Sequence, residues 1–359
     1  MYQPRGHYML KTLPSLVCLF AMWTLNPLFA AEEDKKGKFL GAKETEYPAW
    51  FKESFLDLKE DVAEAKNSGK RVMLFFHQDG CPYCNALVER NLSQKDIEEK
   101  VRNNFDVIAM NMWGDREVTY INGDHYTEKT LAAALKVQFT PTLIFYDENG
   151  KVVLRLNGYR APQRFTVDLD YVANRKEKDT AYLEFVKANY TPEPSSKAMH
   201  EEDFFSQPPY DLTRKAGAKP VAVFFEQKDC PNCDTLHQQV LPDADTRKII
   251  KQFDTIQLDM WSNTPLVTPN GEKTTAREWA KKLDIKYAPS IVVFNEKGEE
   301  IIRSEGFFKV FHTQSIFAYV LEGVYKDQPS FQRYLSDRAE HFREQGKDVD
   351  IWRLVEEKS

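Results

Sequence analysis

No block of basic charge interrupts this 359-residue chain, in which 49 Lys+Arg are spread against 55 Asp+Glu for a net charge of −6. A nucleic-acid surface therefore has no support, and no nucleic-acid partner is expected. Cysteine is scarce as well, five residues in all. A disulfide framework links distant segments, and so few closely spaced sulfurs make a poor staple for a chain this long. What is present is the balance of a soluble globular protein, 42 % hydrophobic and 29 % charged, which excludes disorder as the default. The length accommodates about two domains.

Residues 1–31 stand apart. Arg5 and Lys11 precede the apolar run "LPSLVCLFAMW", and "LFAAEEDKK" supplies small residues before a charged stretch. This is the pattern of a secretory signal peptide, with cleavage expected after Ala30 or Ala31. An uncleaved membrane anchor is the competing reading, and Pro27 and the short apolar core argue against it. Val17 is too bulky for the position before a lipidated Cys18. Cleavage removes the only two charges of residues 1–30, taking the net charge from −6 to −8. It also leaves four cysteines, Cys81, Cys84, Cys230 and Cys233, all in C-x-x-C pairs. Export places them in an oxidising compartment, and the periplasm is the expected location.

The second half repeats the first. Cys81 and Cys230 are 149 positions apart, and Trp113/Trp261, Pro141/Pro289 and Gly150/Gly298 are each 148 apart. That period is far too long for a solenoid and marks a tandem duplication of one domain. The expected organisation is a first domain over 32–189, a linker over 190–203, a second domain over 204–335 and a helical extension over 336–359. Within the first copy, Phe55, Leu58, Val62 and Ala65 mark a helix face with Gly69 as its stop. "RVMLFF" reads as a strand buried on both faces. Ser93 with Asp96 reads as a helix start, and "DVIAMNMW" as a second strand. "EKTLAAALKV" is a helix, and two strands flank the Asn149-Gly150 turn. A last helix is expected near 162–172. The linker "YTPEPSSKAMHEED" has two prolines, two serines and no apolar period, and the charged tail "QRYLSDRAEHFREQ" reads as a solvated helix.

A strand, a C-x-x-C at its carboxyl end, a helix and a residue-Pro before a terminal hairpin follow the plan of the thioredoxin fold. "FHQDGCPYC", "NMWGDREVT", "YTEKTLAAALKVQFTPTLIFYDENGKVVLRLNGY" and "SFQRYL" resemble the SoxW-type periplasmic thioredoxins, a branch of the thioredoxin-like oxidoreductases. The resemblance spans about 40–175 and 205–335, with the first copy nearer. It implies an α/β fold of two tandem thioredoxin-like domains, each a central mixed β-sheet flanked by helices. It also implies a thiol–disulfide oxidoreductase with no cofactor beyond its dithiol/disulfide pairs, Cys81–Cys84 and Cys230–Cys233. Its partners would be periplasmic disulfide-containing proteins of sulfur oxidation or cytochrome maturation, with a membrane thiol-electron transporter as reductant.

Disulfide exchange needs a thiolate attacker and a second thiol close by. A helix start favours the thiolate through its free N–H groups and dipole. Cys81 and Cys230, expected to face solvent there, are the candidate nucleophiles, and Cys84 and Cys233, one turn in, the resolving thiols. Pro82 and Pro231 fit the first helical position, where a missing N–H costs nothing. By resemblance, Pro141 and Pro289 are the cis-prolines facing the cysteines, and Thr140 and Ala288 line the substrate groove. The acidic residue that thioredoxins bury six positions before the nucleophile is replaced by Phe75 and Phe224. His77 or Glu226 is the candidate substitute in proton transfer. Local charge predicts the lower pKa for Cys81, since the window around Cys230 holds Glu226, Lys228, Asp229 and Asp234 against Asp79 alone around Cys81. Trp113 and Trp261 are expected in the core as strand-end aromatics.

Three rivals remain open. The two pairs could share a zinc ion, although such pairs usually lie 15–20 residues apart. The activity could be oxidase or isomerase rather than reductase. The domains could also be a non-catalytic docking scaffold with cysteine staples.

Overall fold

The computed structural model describes residues 36–355; the expected signal peptide, its cleavage site and Cys18 lie outside them. Each half builds one four-stranded sheet on one plan. In the first, the order is Phe105–Asn111, Arg71–His77, Thr142–Tyr146, Val152–Asn157, and in the second Asp254–Asp259, Val221–Glu226, Ser290–Phe294, Glu300–Glu305. The first neighbouring pair of each sheet is parallel and the other two are antiparallel. Even the register shift recurs, at Phe145/Tyr146 and at Val293/Phe294. This is the expected fold of two tandem thioredoxin-like domains.

The central strands are apolar over Val72–Phe76 and Val221–Phe225, because both faces are covered there. Val72, Leu74 and Phe76 point into a core belonging to the first half, and Val221, Val223 and Phe225 into one belonging to the second. Met73 and Phe75, with Ala222 and Phe224, point into a third core that runs through both halves. The two domains thus share one hydrophobic interior and do not sit as beads on a string.

Their interface is built on the repeat itself. Phe139 packs on Phe308, ring centroids 4.8 Å apart, and Arg160 lies 3.9 Å over the Tyr287 ring. Positions 139 and 287 are 148 apart, as are 160 and 308, so each copy offers an aromatic ring at the same position and receives the side chain of the same position of the other, Phe308 on one side and Arg160 on the other. Near the centre Asn157 Nδ2 donates to Glu305 Oε2 at 2.7 Å, and these two are 148 apart as well. Gly158 lies against Phe308 and its equivalent Gly306 against Arg160. The contact has the self-complementary logic of a two-fold dimer, realised within one chain.

Three local expectations need correction. Phe55 is fully exposed; the helix is Leu58–Asn67, begun by the Asp57 carboxylate, which accepts from the N–H groups of Lys59 and Glu60. Ser93 caps nothing: its hydroxyl donates back to Glu89 O, and the helix Lys95–Asn104 follows a π-turn at Leu87–Leu92. Third, the tail is not a solvated extension. The helix Phe331–Glu344 crosses the expected 335/336 boundary and buries Phe331, Tyr334, Leu335 and Ala339. Phe331 meets Phe139 of the first domain at 5.3 Å, and Val349–Asp350 pairs in parallel with Phe39–Leu40. The apolar stripe at i, i+3, i+4 and i+8 outweighs the charge around it. Among the described residues, no helix is long and apolar enough to cross a membrane.

Candidate functional site

Each C-x-x-C follows the carboxyl end of its central strand, where the polypeptide turns sharply into a helix. The turn needs a left-handed residue just before the first cysteine: Gly80 at φ 70° in one copy, Asp229 at φ 53° in the other. Glycine adopts this without penalty, whereas aspartate is merely one of the residues that tolerate it. Cys81 and Cys230 then occupy the N-cap positions, with Pro82 and Pro231 beginning the helices. The N–H of Cys84 donates to Cys81 Sγ at 3.1 Å, and that of Cys233 to Cys230 Sγ at 3.1 Å. The sulfurs sit on free helix N–H groups, an arrangement that favours a thiolate once the bond is reduced.

Each pair closes its own disulfide, Cys81–Cys84 and Cys230–Cys233, so the four sulfurs do not converge on one metal. Among the described residues no group of three or more His, Cys, Asp or Glu is placed to hold a metal ion. The bonds before Pro141 and Pro289 are cis. Thr140 reaches Cys81: its carbonyl oxygen lies 3.5 Å from Cys81 Sγ, and its hydroxyl donates to that sulfur at 3.3 Å. Ala288 has no hydroxyl to do the same at Cys230.

The first cysteines are not open to solvent as their position in the fold suggested. Cys81 is 4 % and Cys230 5 % exposed, against 0 % for Cys84 and 1 % for Cys233. The cover comes from far along the chain. Tyr83, inside the first C-x-x-C, packs on Phe308, His312 and Trp352 at 5.7, 5.6 and 4.9 Å. Its hydroxyl accepts the N–H of Lys309 at 3.1 Å. Between these walls Cys81 opens into a cavity of about 180 Å³ lined also by Thr140, Phe311 and Ile351. In the second copy Asn232 takes the place of Tyr83 and its side-chain amide donates to the Tyr287 hydroxyl.

Each site also has a strap running in from chain that precedes it in sequence, 43–47 at the first and the linker at the second. At the first, the N–H of Lys43 donates to Gly80 O at 3.2 Å, and Tyr47 packs on His77 at 4.4 Å. His77 is half-buried, its Nδ1 has no hydrogen-bond partner, and burial lowers its pKa, so the ring is neutral. At the second, the linker does this work through ions. The N–H of Asp229 donates to Ser196 O at 3.0 Å, Lys197 pairs with Asp229, and His200 Nε2 lies 2.6 Å from Asp234. Glu226, 1 % exposed, lies 3.1 Å from His237, and His237 lies 3.0 Å from Glu202 of the linker, which also binds Arg247 at 2.6 Å. Burial alone would push the His237 pKa down, but Glu202 and Glu226 outweigh it and hold it up at about 9.

The expected proton-transfer candidates therefore differ in kind: His77 is a neutral ring among aromatics, and Glu226 one arm of a buried ion cluster. Phe75 and Phe224 are fully buried, as hydrophobes in core positions should be. Trp113 and Trp261 are half-buried at the rim, not in the core, because each indole N–H has a partner: Gln78 Oε1 and Gln227 Oε1, both at 2.9 Å. Sequence reasoning missed Phe308, His312, Arg160, His200 and Glu202. The 148-residue offset would have paired 160 with 308, but nothing in it says that the two copies face each other.

The profile of the thioredoxin-like domain family matches the chain twice, over residues 58–173 and 211–321. A thioredoxin-fold protein from Helicobacter pylori is 24 % identical, with 34 % of this chain and 84 % of that one covered at a TM-score of 0.30. A thioredoxin from Thermus thermophilus is 23 % identical, with 38 % and 87 % covered at 0.27. The first two thioredoxin domains of Saccharomyces cerevisiae Eps1p are 14 % identical, with 71 % and 93 % covered at 0.25. No curated protein matches the chain.

Proposed function

This chain belongs to the thioredoxin-like domain family, and from that premise we propose that it is an exported thiol–disulfide oxidoreductase that reduces disulfides of periplasmic partner proteins. The observation that carries the reading is the Cys81 sulfur at a helix N-cap, 3.1 Å from the Cys84 N–H and 3.3 Å from the Thr140 hydroxyl. In the dithiol form Cys81 or Cys230 attacks the substrate disulfide and forms a mixed disulfide. Cys84 or Cys233 then attacks the same cysteine and releases the reduced substrate. Thr140–Pro141 and Ala288–Pro289 form the edge along which the substrate segment lies. Export rests on the leader-like first thirty-one residues. The partners in sulfur oxidation or cytochrome maturation, and a membrane thiol transporter as electron source, rest on the resemblance to SoxW-type thioredoxins.

Insulin reduction in the presence of dithiothreitol tests the activity: acceleration by the purified chain is expected, and a docking scaffold would give none. Cys84→Ala and Cys233→Ala should accumulate covalent adducts with partner proteins, because the thiol that releases them is gone. Adducts on Cys81→Ala and Cys230→Ala instead would reverse the roles.

A further inference from the structure

Exchange at Cys81 moves protons as well as electrons. The thiol must lose one before it attacks, and the sulfur that leaves the substrate must gain one. Cys81 opens into a cavity whose other titratable side chains, the groups placed to carry its proton, are Asp79, Tyr83 and His312. Asp79 is exposed at the rim. The Tyr83 hydroxyl is engaged by the N–H of Lys309, and burial raises its pKa far above neutrality. His312 comes from the second domain, on the helix Val310–Leu321, and its Nδ1 is buried without a hydrogen-bond partner. Its ring is held by Tyr83 at 5.6 Å, Phe311 at 5.8 Å and Phe308 at 6.1 Å.

The other half of the molecule shows what a committed side chain looks like at this place. Position 164 is equivalent to 312, 148 residues away, and Arg164 likewise lies near the facing domain, 5.6 Å over Tyr287. Arg164 is locked to Asp168 at 2.9 Å and to the Tyr182 hydroxyl at 2.9 Å. It has no proton to exchange near neutral pH. The equivalent residue at the first site is a histidine with a free nitrogen.

We propose that His312, supplied by the second domain, is the proton carrier of the Cys81 site. The proposal rests on the disulfide-exchange reading. In the dithiol form the Cys81 proton passes to His312, and the thiolate attacks the near sulfur of the substrate disulfide. The Cys81–substrate S–S bond forms, the substrate's own S–S bond breaks, and its leaving sulfur takes the electron pair and then the proton from His312. Cys84 next attacks Cys81, its proton going to the second substrate sulfur, and the Cys81–Cys84 disulfide forms. Two electrons and two protons reach the substrate, and an external dithiol donor resets the pair.

Burial pushes the His312 pKa down to about 4, so the ring is neutral and able to accept beside an uncharged disulfide. A thiolate at Cys81 draws it back up. Of the surrounding charges, Asp79 stands at the cavity rim, Lys309 is three residues earlier with its ammonium over the Trp352 ring, and the Arg353 guanidinium of the tail is turned to Asp243 at 2.7 Å.

The test uses the full chain with Cys230→Ser and Cys233→Ser, so that only the first site reacts. The readouts are insulin reduction and the pH profile of iodoacetamide alkylation at Cys81. His312→Gln should slow exchange at pH 7 about a hundredfold and remove one titration step from the alkylation profile, with an unchanged circular dichroism spectrum. His312→Asn serves if the glutamine variant does not fold. An unchanged rate and profile in a folded His312 variant would overturn the proposal, as would a loss found only in His77→Gln. A parent chain that reduces no insulin at all would bring down the exchange reading, and this proposal with it.

Discussion

At Cys81 the neighbours are aromatic and neutral; at Cys230 they are ionic. The same backbone turn, the same N-cap sulfur and the same cis-proline stand in both places, yet the side chains around them differ position by position. Gly80 faces Asp229, Tyr83 faces Asn232, Thr140 faces Ala288, His77 faces Glu226 and His312 faces Arg164. Duplication preserved the parts that shape the backbone and left the surroundings free to diverge. The comparison also shows the weakness of counting charge along a window. Glu226, Asp229 and Asp234 add up to an acidic site on paper. In the fold Glu226 faces His237, Asp229 pairs with Lys197 and Asp234 lies 2.6 Å from His200 Nε2, two of these partners coming from the linker, so the expected order of the two cysteine pKa values no longer follows from a count of charges along the window.

Breaking the ion cluster is the severest test of that contrast. Glu226→Ala leaves a buried imidazolium short of a partner and should destabilise the chain by about 3–5 kcal/mol in urea unfolding. His77→Ala, at the equivalent position among aromatics, should cost no more than about 1–2 kcal/mol. Equal costs would mean that the two surroundings differ in appearance only.

A pH series follows next in size. The His237 pKa is raised from 6.5 to about 9 in the fold, so the folded chain binds the extra proton between those values. The stabilisation is therefore complete below about pH 6.5 and lost as pH rises through about 9, by up to about 3 kcal/mol. His237→Gln should flatten this slope. A slope that survives the substitution belongs to some other group.

Smaller effects sharpen the comparison at the sulfurs. Thr140→Val removes the hydroxyl that donates to Cys81 Sγ, a bond of about 1 kcal/mol. The Cys81 thiol pKa should rise by about 0.7 unit in alkylation measured against pH, while Cys230 stays put. Asp229→Gly should relieve about 1 kcal/mol of left-handed backbone strain, partly offset by loss of the exposed Lys197 pair. The net gain in unfolding free energy should stay below about 1 kcal/mol. A loss of stability would show that the linker's grip on Asp229 outweighs the strain.

The fold was legible because its signals are local. "RVMLFF" and "VAVFF" suit strands covered on both faces, the Asn149-Gly150 turn pins a hairpin, and the 148-residue offset doubles every inference. The two C-x-x-C pairs were legible for the same reason, since both sulfurs lie within one helical turn. Local reading failed where a competing partner was distant. Trp113 leaves the core that its strand-end place suggests because its partner, Gln78, is 35 positions away in the chain. In the tail the conspicuous charges mask Phe331, Tyr334 and Leu335, which carry the period of a packed helix.

Backbone preference and hydrophobic period act between near neighbours, and through them the amino-acid order alone established two copies of one domain, each with a sulfur pair at a helix start; that the domains are thioredoxin-like came from the resemblance of whole stretches. What encloses those sulfurs was decided only when the chain closed on itself. Tyr83 meets Lys309 across 226 positions, and the cavity at Cys81 takes its walls from the second domain and the tail. No pattern within one copy reports that the two copies bury their equivalent faces against each other. That choice is a matter of which large apolar surfaces remain after each domain has folded, and it emerges from their sum, not from any stretch of residues.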